Sequence, residues 1–438
     1  MNLVKRIAGI AAGILIFAGI VNLMNYIYVP ESEWESRLWH KFYEDKGKID
    51  NLYLGSSHVF FDIDPSLLDE LNGQYNFNLA TPTQLMNGTY YLLREADRNN
   101  ELSHVYIELH YGCNIEGKSS EKNEPILTQP YRNWNNTDYM NFSLNKLAYM
   151  FSIADVEKFV NIWLPFSRYR SKLDDWETIR QTVVDKKIAK EQTDCDSGIC
   201  EKGFQYSTTV YRDDSRVYRQ SCILEEKPLP EMSEAYFRKT IEYCQKREIP
   251  ITLFVSPMYE LKLISTENYD NYVNQIREIA DEYHVVFYDF NLAKEEYLPI
   301  QNTKYFHDAG HLNTVGARMY TEFFYEVVSR DVSENHKYFY DSYVQKLQSS
   351  TPTVYGIYYR KTDQTDDDPQ AKNMWIASNR EEEMEYRIIL TPEGEESYMV
   401  QDFNENKMFL DSSVHGVCTI IYRIKDIPDI VQTVEINY

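Results

Sequence analysis

Short apolar runs alternate with longer amphipathic stretches from residue 49 to residue 329, and this alternation is the main pattern of the chain. Short apolar runs predict buried strands, and apolar positions three or four residues apart predict helices. The predicted strands are Ile49–Leu54, Tyr75–Leu79, Val105–Leu109, Ile251–Ser256 and Val285–Asp289. The predicted helices are Pro65–Asn72, Thr83–Asn99, Met232–Arg247, Asn268–Tyr283 and Thr314–Ser329. Strands that alternate with helices indicate an α/β domain, residues 31–335, whose parallel sheet is covered on both faces.

The third and fourth predicted strands are separated by a long polar and aromatic insertion, at about residues 111–229. Two stretches inside it, Tyr149–Trp163 and Trp176–Lys190, have helical patterns. An interruption of this length inside one α/β unit forms either a lid or substrate platform, or a passive elaboration. The sequence leaves both alternatives open.

The pattern changes after the last predicted helix. Residues 336–351 predict a linker, and several short β-rich runs follow in residues 352–438. Separate runs with turn residues between them predict a small β-sandwich. Acidic residues cluster between two of these runs, and they form either a calcium site or a solvated turn: Asp363, Asp366, Asp367 and Asp368.

The N-terminus has the composition of a membrane anchor. Lys5 and Arg6 precede an apolar stretch of 23 residues, Ile7–Val29, which is long enough to cross a bilayer as a helix. Basic residues before this stretch and acidic residues after it predict an N-terminus on the inside. Because no Ala-x-Ala cleavage pattern ends the stretch, we expect residues 1–30 to remain as a single-pass anchor in the cell membrane, with the rest extracytoplasmic.

The overall charge restricts the partners. The chain has 68 acidic and 45 basic residues, a formal net charge of -23, and this excludes nucleic acid as an expected partner. Its 37 tyrosines suit either a sugar-contacting surface or an ordinary core and rim. Among six cysteines, Cys195 and Cys200 could close a small disulfide loop, and no ligand spacing indicates a zinc site.

Two distant loops carry candidate chemistry. Ser57 follows the first predicted strand in a Gly-Ser-Ser turn, and Asp308 and His311 precede the last predicted helix. A serine hydroxyl needs a base to remove its proton, and a histidine oriented by a carboxylate supplies one. The competing interpretations are that the serines only cap a helix, or that His307, Asp308 and His311 bind a metal.

These residues resemble the SGNH/GDSL hydrolase superfamily, over about residues 49–109 and 232–329. The resemblance implies a flavodoxin-like three-layer sheet, Ser57 as nucleophile with its backbone amide in an oxyanion hole, Asp308 and His311 as the other triad members, and no cofactor. The chain is most similar to the membrane-anchored extracytoplasmic branch of DltD-like and AlgJ/AlgX-like proteins. That branch acts on bacterial surface polymers, commonly beside a multi-pass membrane O-acyltransferase.

Two blocks depart from the superfamily pattern. The second block lacks its usual glycine and reads Asn78 to Gln84, so an amide near Thr83 is the expected oxyanion donor. In the third block, Asn114 takes the place of the usual asparagine. In the insertion, Arg168 and Arg170 lie beside aromatic residues and either hold a polymer or pack the insertion onto the core.

The sequence therefore predicts a serine esterase or O-acyltransferase that acts on a cell-surface polysaccharide through Ser57, His311 and Asp308. The alternative is a protein without catalytic activity, which binds glycan or serves as a scaffold for a membrane O-acyltransferase.

The predicted topology can be tested by proteolysis of intact cells. Protease added after removal of any outer barrier should degrade the chain beyond about residue 30, because the basic flank keeps the N-terminus inside. Immunoblotting for a C-terminal tag measures the loss. Full protection of the tag, with degradation after membrane permeabilisation, would reverse the orientation.

Overall fold

The structure is a computed structural model, and eleven segments of the chain are described. These segments are residues 2–30, 33–114, 136–153, 159–172, 175–189, 201–212, 216–218, 222–359, 371–405, 408–411 and 415–438. The predicted Cys195–Cys200 loop and the acidic loop at residues 363–368 lie outside them.

A five-stranded parallel sheet forms the centre of the chain. Its strands are β1 (Asn51–Leu54), β2 (Asn76–Asn78), β3 (His104–Glu108), β6 (Ile251–Val255) and β8 (Val286–Asp289). Their order is β2-β1-β3-β6-β8. The chain therefore runs from β1 to the edge strand β2, returns past β1 to β3, and continues through β6 to the other edge at β8. This is the flavodoxin-like order, and it confirms the predicted fold class.

The remaining strands are short or belong to the C-terminal part. They are β4 (Val217–Tyr218), β5 (Cys222–Ile223), β7 (Thr266–Glu267), β9 (Val354–Tyr359), β10 (Ala371–Ser378), β11 (Met384–Pro392), β12 (Tyr398–Asn404), β13 (Met408–Asp411), β14 (Gly416–Ile424) and β15 (Ile427–Asn437). The helices of the first third of the chain are α1 (Asn2–Tyr28), α2 (Glu33–Glu44), α3 (Ser57–Asp62), α4 (Pro65–Asn72), α5 (Met86–Asn99) and α6 (Tyr111–Asn114). The later helices are α7 (136–139), α8 (Leu144–Ile153), α9 (Phe159–Trp163), α10 (Trp176–Ala189), α11 (Glu231–Lys246), α12 (Glu260–Ile264), α13 (Tyr269–Glu282), α14 (Thr314–Val328) and α15 (Tyr343–Ser349).

Successive side chains of each central strand point to opposite faces of the sheet, and each face has its own buried core. On β1, Leu52 belongs to the core that α2, α5, α11 and α13 cover. Its neighbour Tyr53 belongs to the core that α3, α4 and α14 cover. The domain therefore has three layers, with the sheet between two layers of helices.

The predicted elements of this domain agree with the structure to within three residues at each end. Helix α4 has the predicted bounds, with Asp64 as its N-cap. Helix α5 begins at Met86 rather than at Thr83. The reason is local, because Thr83 has a left-handed backbone (φ 49°) and Thr81 bonds to the Gln84 side chain, so residues 81–84 form a turn.

The insertion joins two other parts of the molecule, which its sequence did not predict. Strand β4 pairs in parallel with β9, and β5 pairs in parallel with β7. Where one helix was predicted, Tyr149–Trp163, the structure describes parts of two helices, α8 and α9. Residues 154–158 between them lie outside the described segments.

The C-terminal part is a sandwich of two four-stranded sheets, as the sequence predicted. One sheet has the order β12-β11-β14-β15 and is antiparallel, and the other has the order β13-β10-β9-β4. Alternate residues of both sheets, such as Ile357 and Ile420, share one buried cluster. Because β4 comes from the insertion, this sandwich includes residues that precede the predicted boundary at residue 352.

Helix α1 is long and apolar enough to cross a membrane. Within Lys5–Tyr28, a window of 18 residues has a mean hydropathy of 2.3, and none of that window is buried in the rest of the protein. At its C-terminal end, the Asn25 side chain accepts a hydrogen bond from the Phe166 amide at 3.0 Å. The Lys186 ammonium donates to the carbonyls of Asn25 and Tyr26 at 3.1 and 2.8 Å. These contacts attach the insertion to the end of the apolar helix, and the orientation of the helix in a membrane stays a prediction.

Replacing one residue of the central sheet tests the packing. Ile107 is fully buried on β3, so Ile107→Ala should lower the free energy of unfolding by about 2–5 kcal/mol. Urea denaturation followed by tryptophan fluorescence measures the change. The control Val315→Ala removes a side chain that is 60% exposed and should cost about 0.5 kcal/mol or less. Equal effects of the two variants would contradict this packing.

Candidate active site

The turn that holds Ser57 requires a glycine. Gly55 has φ of 152°, and a Cβ atom there would lie 2.6 Å from the Val59 side chain and 2.7 Å from Glu108 Cβ. The missing side chain lets β1 turn sharply into α3, which begins at Ser57. Ser57 therefore lies beyond the carboxyl end of a parallel strand, where open α/β sheets bind their ligands.

The two neighbouring serines have different surroundings. Ser56 is buried and caps α3, since its hydroxyl accepts a hydrogen bond from the His58 amide at 3.4 Å. The same hydroxyl donates to Glu108 Oε2 at 3.1 Å. Ser57 is half-buried and directs its hydroxyl elsewhere. The capping interpretation thus fits Ser56, and Ser57 remains available for chemistry.

The loop with Asp308 and His311 is held in a tight turn before α14. The His307 amide donates to the His311 carbonyl at 2.8 Å. Asp308 Oδ1 accepts from the amides of Gly310 and His311 at 2.7 and 3.0 Å. Asn313 ends the loop as the N-cap of α14. These bonds fix the carboxylate and the imidazole relative to each other.

The two loops meet, with the three predicted side chains in a row. Ser57 Oγ lies 2.7 Å from His311 Nε2. His311 Nδ1 lies 2.9 and 3.0 Å from the two Asp308 oxygens. Because an ionised Asp308 accepts the proton on Nδ1, Nε2 is left to accept the proton of Ser57. These distances are those of a serine–histidine–aspartate triad, and the catalytic roles of the three residues stay predictions.

Electrostatics favours the charged form of Asp308. Partial burial alone raises the pKa of this carboxyl group. Its hydrogen bonds to His311 and to the Gly310 amide, and the nearby charge of Lys262, outweigh burial and lower the pKa below its ordinary value. Asp308 is therefore ionised at neutral pH, as an orienting carboxylate must be.

His311 lies between two rings. Its centroid is 4.7 Å from that of His58, which stacks on it, and 4.9 Å from that of Phe61. Both neighbours come from α3, the helix that begins at Ser57. Ser57 and the two rings that flank His311 are thus parts of one short helix.

A buried polar layer lies beneath the triad, and it was not predicted from the sequence. Lys262 Nζ lies 3.3 Å from His58 Nε2 and 3.4 Å from His110 Nε2. Glu108 and Asp62 complete the layer, and both are buried. The available signal was position, because Glu108 and His110 stand at the end of β3 and His58 follows the nucleophile.

Burial governs the protonation of this layer. It lowers the pKa of His58 and of His110, with the charge of Lys262 adding to the effect. Burial also lowers the pKa of Lys262, although nearby carboxyl groups oppose this change. Burial raises the pKa of Glu108 to about 8, so this group is mostly protonated at neutral pH.

The structure describes part of the predicted oxyanion region. As the first residue of α3, Ser57 has a backbone N–H without an acceptor inside the helix. The turn with Thr83 lies at the same edge, since the Thr81 amide donates to the Gly55 carbonyl at 3.3 Å. Asn114 ends α6, and its side chain lies outside the description. Thr83 and Asn114 stay predictions as oxyanion donors.

Of the two insertion arginines, the structure describes the side-chain contacts of Arg168 only. Arg168 forms a two-pronged ion pair with Asp138, with both N–O distances at 2.7 Å, and its Nε donates to the Asn161 carbonyl. These contacts favour the packing role over substrate binding for Arg168. Arg170 lies in the 3-10 helix Pro165–Lys172, and its side chain is outside the description.

The contacts of His307 do not favour the metal alternative. His307 Nδ1 is hydrogen-bonded to Ser207 Oγ at 2.7 Å, whereas Asp308 and His311 bond to each other. Within the described segments, no three His, Cys, Asp or Glu side chains are grouped as metal ligands.

Comparisons with known proteins give little beyond this geometry. One protein-family model matches residues 214–333, less than a third of the chain. No curated protein matches the sequence. A solved, provisionally assigned acylhydrolase from Bacteroides fragilis NCTC 9343 is similar at 9% identity and a TM-score of 0.33, over 68% of this chain and 98% of its own. A provisionally assigned GDSL-like lipase from Parabacteroides merdae ATCC 43184 shows 10% identity and a TM-score of 0.30, over 65% and 97%. Scores this low carry no argument about this chain.

The raised pKa of Glu108 predicts a pH-dependent stability. The folded chain keeps this proton up to about pH 8, whereas a solvent-exposed glutamate loses it near 4.5. The free energy of unfolding of the wild type should therefore fall between these pH values, relative to Glu108→Gln, which has no proton to lose. Above pH 8, the free energy of unfolding of Glu108→Gln should exceed that of the wild type by on the order of a few kcal/mol.

Urea denaturation of both proteins at pH 5, 7 and 9 measures this difference. Stability curves that run parallel over the whole range would show that Glu108 does not retain its proton in the folded chain.

Proposed function

We propose that this chain is an SGNH-type serine esterase or O-acyltransferase that acts on an acylated cell-surface polysaccharide. The observation that carries the proposal is the row of Ser57, His311 and Asp308 at the carboxyl edge of the sheet, with 2.7 Å between hydroxyl and imidazole. This row contains a nucleophile, a base and an orienting carboxylate within hydrogen-bond reach.

In the first half-reaction, Ser57 Oγ attacks the carbonyl carbon of an ester while His311 Nε2 takes the hydroxyl proton. Asp308 stabilises the resulting imidazolium through Nδ1. The negative charge on the former carbonyl oxygen is stabilised by the Ser57 backbone N–H, which points out of the N-terminus of α3. When the C–O bond of the ester breaks, His311 returns its proton to the leaving alcohol, and the acyl group remains on Ser57.

The second half-reaction uses the same residues in reverse. His311 takes a proton from water or from a sugar hydroxyl, and the deprotonated oxygen attacks the acyl-enzyme carbonyl. Collapse of the second tetrahedral intermediate breaks the bond to Ser57 Oγ, which recovers its proton from His311. Water as acceptor makes the chain an esterase, and a sugar hydroxyl makes it a transferase.

The connection between site and anchor supports a substrate at the membrane surface. Trp34 lies in the first turn of α2, a few residues beyond the apolar helix. Three ring contacts lead from it to the base, namely Trp34–Phe60 at 4.3 Å, Phe60–Phe61 at 5.2 Å and Phe61–His311 at 4.9 Å. A base this close to the anchor suits a polymer or an acyl donor held near the bilayer. A multi-pass membrane O-acyltransferase would be a suitable donor partner.

One segment of the insertion supports the substrate-platform interpretation. The Ser207 amide donates to the Thr314 hydroxyl at 2.8 Å, the Thr314 amide donates to the Ser207 carbonyl at 2.9 Å, and the Tyr211 amide donates to the Phe306 carbonyl at 2.8 Å. This segment therefore runs alongside the loop that contains Asp308 and His311, which we term the catalytic loop. Tyr206 within it is 45% exposed, and an exposed tyrosine can contact a sugar face with its ring and a hydroxyl with its tip.

An active-site probe tests the proposed nucleophile. A fluorophosphonate should label the wild-type chain, and Ser57→Ala should abolish labelling, because the probe reacts with an activated serine hydroxyl. Turnover of an aryl ester should fall by about 10³-fold or more in the same variant. In-gel fluorescence and absorbance assays provide the two measurements.

Ser56→Ala is the matched control, since it removes a neighbouring hydroxyl that caps α3 and should leave labelling in place. Equal labelling of wild type and Ser57→Ala would remove Ser57 from the mechanism. No labelling of a folded wild-type chain would favour the alternative of a glycan-binding or scaffold protein without catalysis.

A further inference from the structure

The polar layer beneath the triad contains a lysine with an unusual environment. Lys262 is only 8% exposed, and its amine lies between two imidazoles, 3.3 Å from His58 Nε2 and 3.4 Å from His110 Nε2. The rings of His58 and His110 are themselves in contact, with centroids 3.8 Å apart. One amine therefore bridges two rings, and the first of these rings stacks on His311.

The catalytic loop is shaped to admit this amine. A Cβ atom at Gly310 would lie 2.8 Å from Lys262 Nζ and 3.4 Å from His58 Cε1. A larger residue at this position would displace the lysine amine or shift the loop. Gly310, between the orienting carboxylate and the base, thus brings the loop onto the buried layer.

We propose that Lys262 is a positioning residue that acts on His311 through His58. Its amine donates one hydrogen bond to Nε2 of His58 and another to Nε2 of His110, so that neither nitrogen can carry a proton. Both imidazoles then hold their single proton on Nδ1 and stay neutral. This inference rests on the proposed function, because it assigns a role in holding the proposed base.

A neutral ring at this place matters during the reaction. His311 becomes positively charged when it takes the proton of Ser57. If His58 were also charged, two cations would stack at a centroid distance of 4.7 Å and repel each other. A neutral His58 instead gives the imidazolium an uncharged ring to lie against, and Lys262 acts together with burial to keep it in that state.

The charge of the lysine itself is balanced mainly by Asp308, which is ionised at neutral pH. Carboxyl groups of Asp308, Glu108 and Asp62 and the thiol of Cys113 all act on Lys262. His58 faces His110, Lys262 and His311, and its Nδ1 lies 3.9 Å from Asp62 Oδ2. Asp62 thus faces the Nδ1 side of His58 at more than hydrogen-bond distance, and burial raises the pKa of its carboxyl group well above the ordinary value.

The first test reads the protons directly. Histidine-selective ¹⁵N labelling of the full chain in nanodiscs, with long-range ¹H–¹⁵N correlation spectra from pH 5 to pH 8, assigns the tautomer of each imidazole. We expect Nδ1–H, with an unprotonated Nε2, for His58 and His110 over the whole range. A proton on Nε2 of His58 in the wild type would overturn the proposal, even if no variant could be prepared.

The second test removes the amine. Lys262→Met removes the hydrogen bond and the charge that act together with burial on His58, so the pKa of His58 should rise. For an aryl ester, kcat/KM should then fall by about tenfold at pH 6, with a smaller loss at pH 8. Lys262→Gln retains two N–H donors without the charge and should recover part of the loss. An unchanged tautomer of His58 and an unchanged pH profile in Lys262→Met would refute the role.

A second buried lysine provides the control for folding. Lys346 is 5% exposed, and its described polar contacts are with Glu260 at 2.7 Å and with the Asn291 carbonyl, not with the triad residues. Lys346→Met should lower stability like Lys262→Met, but it should leave the His58 tautomer and the shape of the pH profile unchanged. If both variants changed the profile alike, general destabilisation would explain the effect. Since the spectra do not depend on turnover, an absence of esterase activity would refute the proposed function without deciding the tautomers.

Discussion

The candidate site depends on one buried carboxyl group that joins its two halves. Asp62, the last residue of the helix that begins at Ser57, accepts a hydrogen bond from the Leu312 amide at 2.9 Å. Leu312 directly follows His311, so this bond attaches the loop of Asp308 and His311 to the helix that begins at Ser57. Thr321 on α14 strengthens the attachment, because its hydroxyl donates to the Asp62 carbonyl and accepts from the Asp64 amide. The contact across about 250 residues of sequence is thus held by the backbone as well as by the triad.

The polar layer beneath the triad sets chemical function against stability. Buried charged groups destabilise a fold unless hydrogen bonds and opposite charges compensate them. Here the burial cost is reduced in two ways. Glu108 is mostly protonated at neutral pH, and the Lys262 amine lies 3.3 and 3.4 Å from two neutral imidazoles. A purely apolar layer would be more stable, but it could not hold a ring in a defined protonation state against His311. Such an exchange of stability for a fixed arrangement is expected at functional sites.

Local patterns predicted the elements and the triad, because each rests on a few neighbouring residues. The Gly-Ser-Ser turn, the Asp-x-x-His loop and the helix caps at Asp64 and Asn313 were all visible in this way. The pairing of β4 with β9 was not, since two residues have no periodicity and their partner lies far along the chain. Lys262 was equally hidden, because only the packed fold shows that its amine is buried between His58 and His110.

In the proposed mechanism, the choice between hydrolysis and transfer depends on whether water or a sugar hydroxyl reaches His311 in the second half-reaction. His311 keeps 21% of its side chain exposed, and its described contacts are with Ser57, Asp308, His58 and Phe61. The remaining edge is open to solvent, so water can reach the base whenever nothing else covers it. A polymer that lies across this edge would exclude water and present its own hydroxyl, whereas a short ester would leave the edge wet. In the proposed mechanism, coverage of this exposed edge by the acceptor decides between hydrolysis of the ester and transfer of its acyl group.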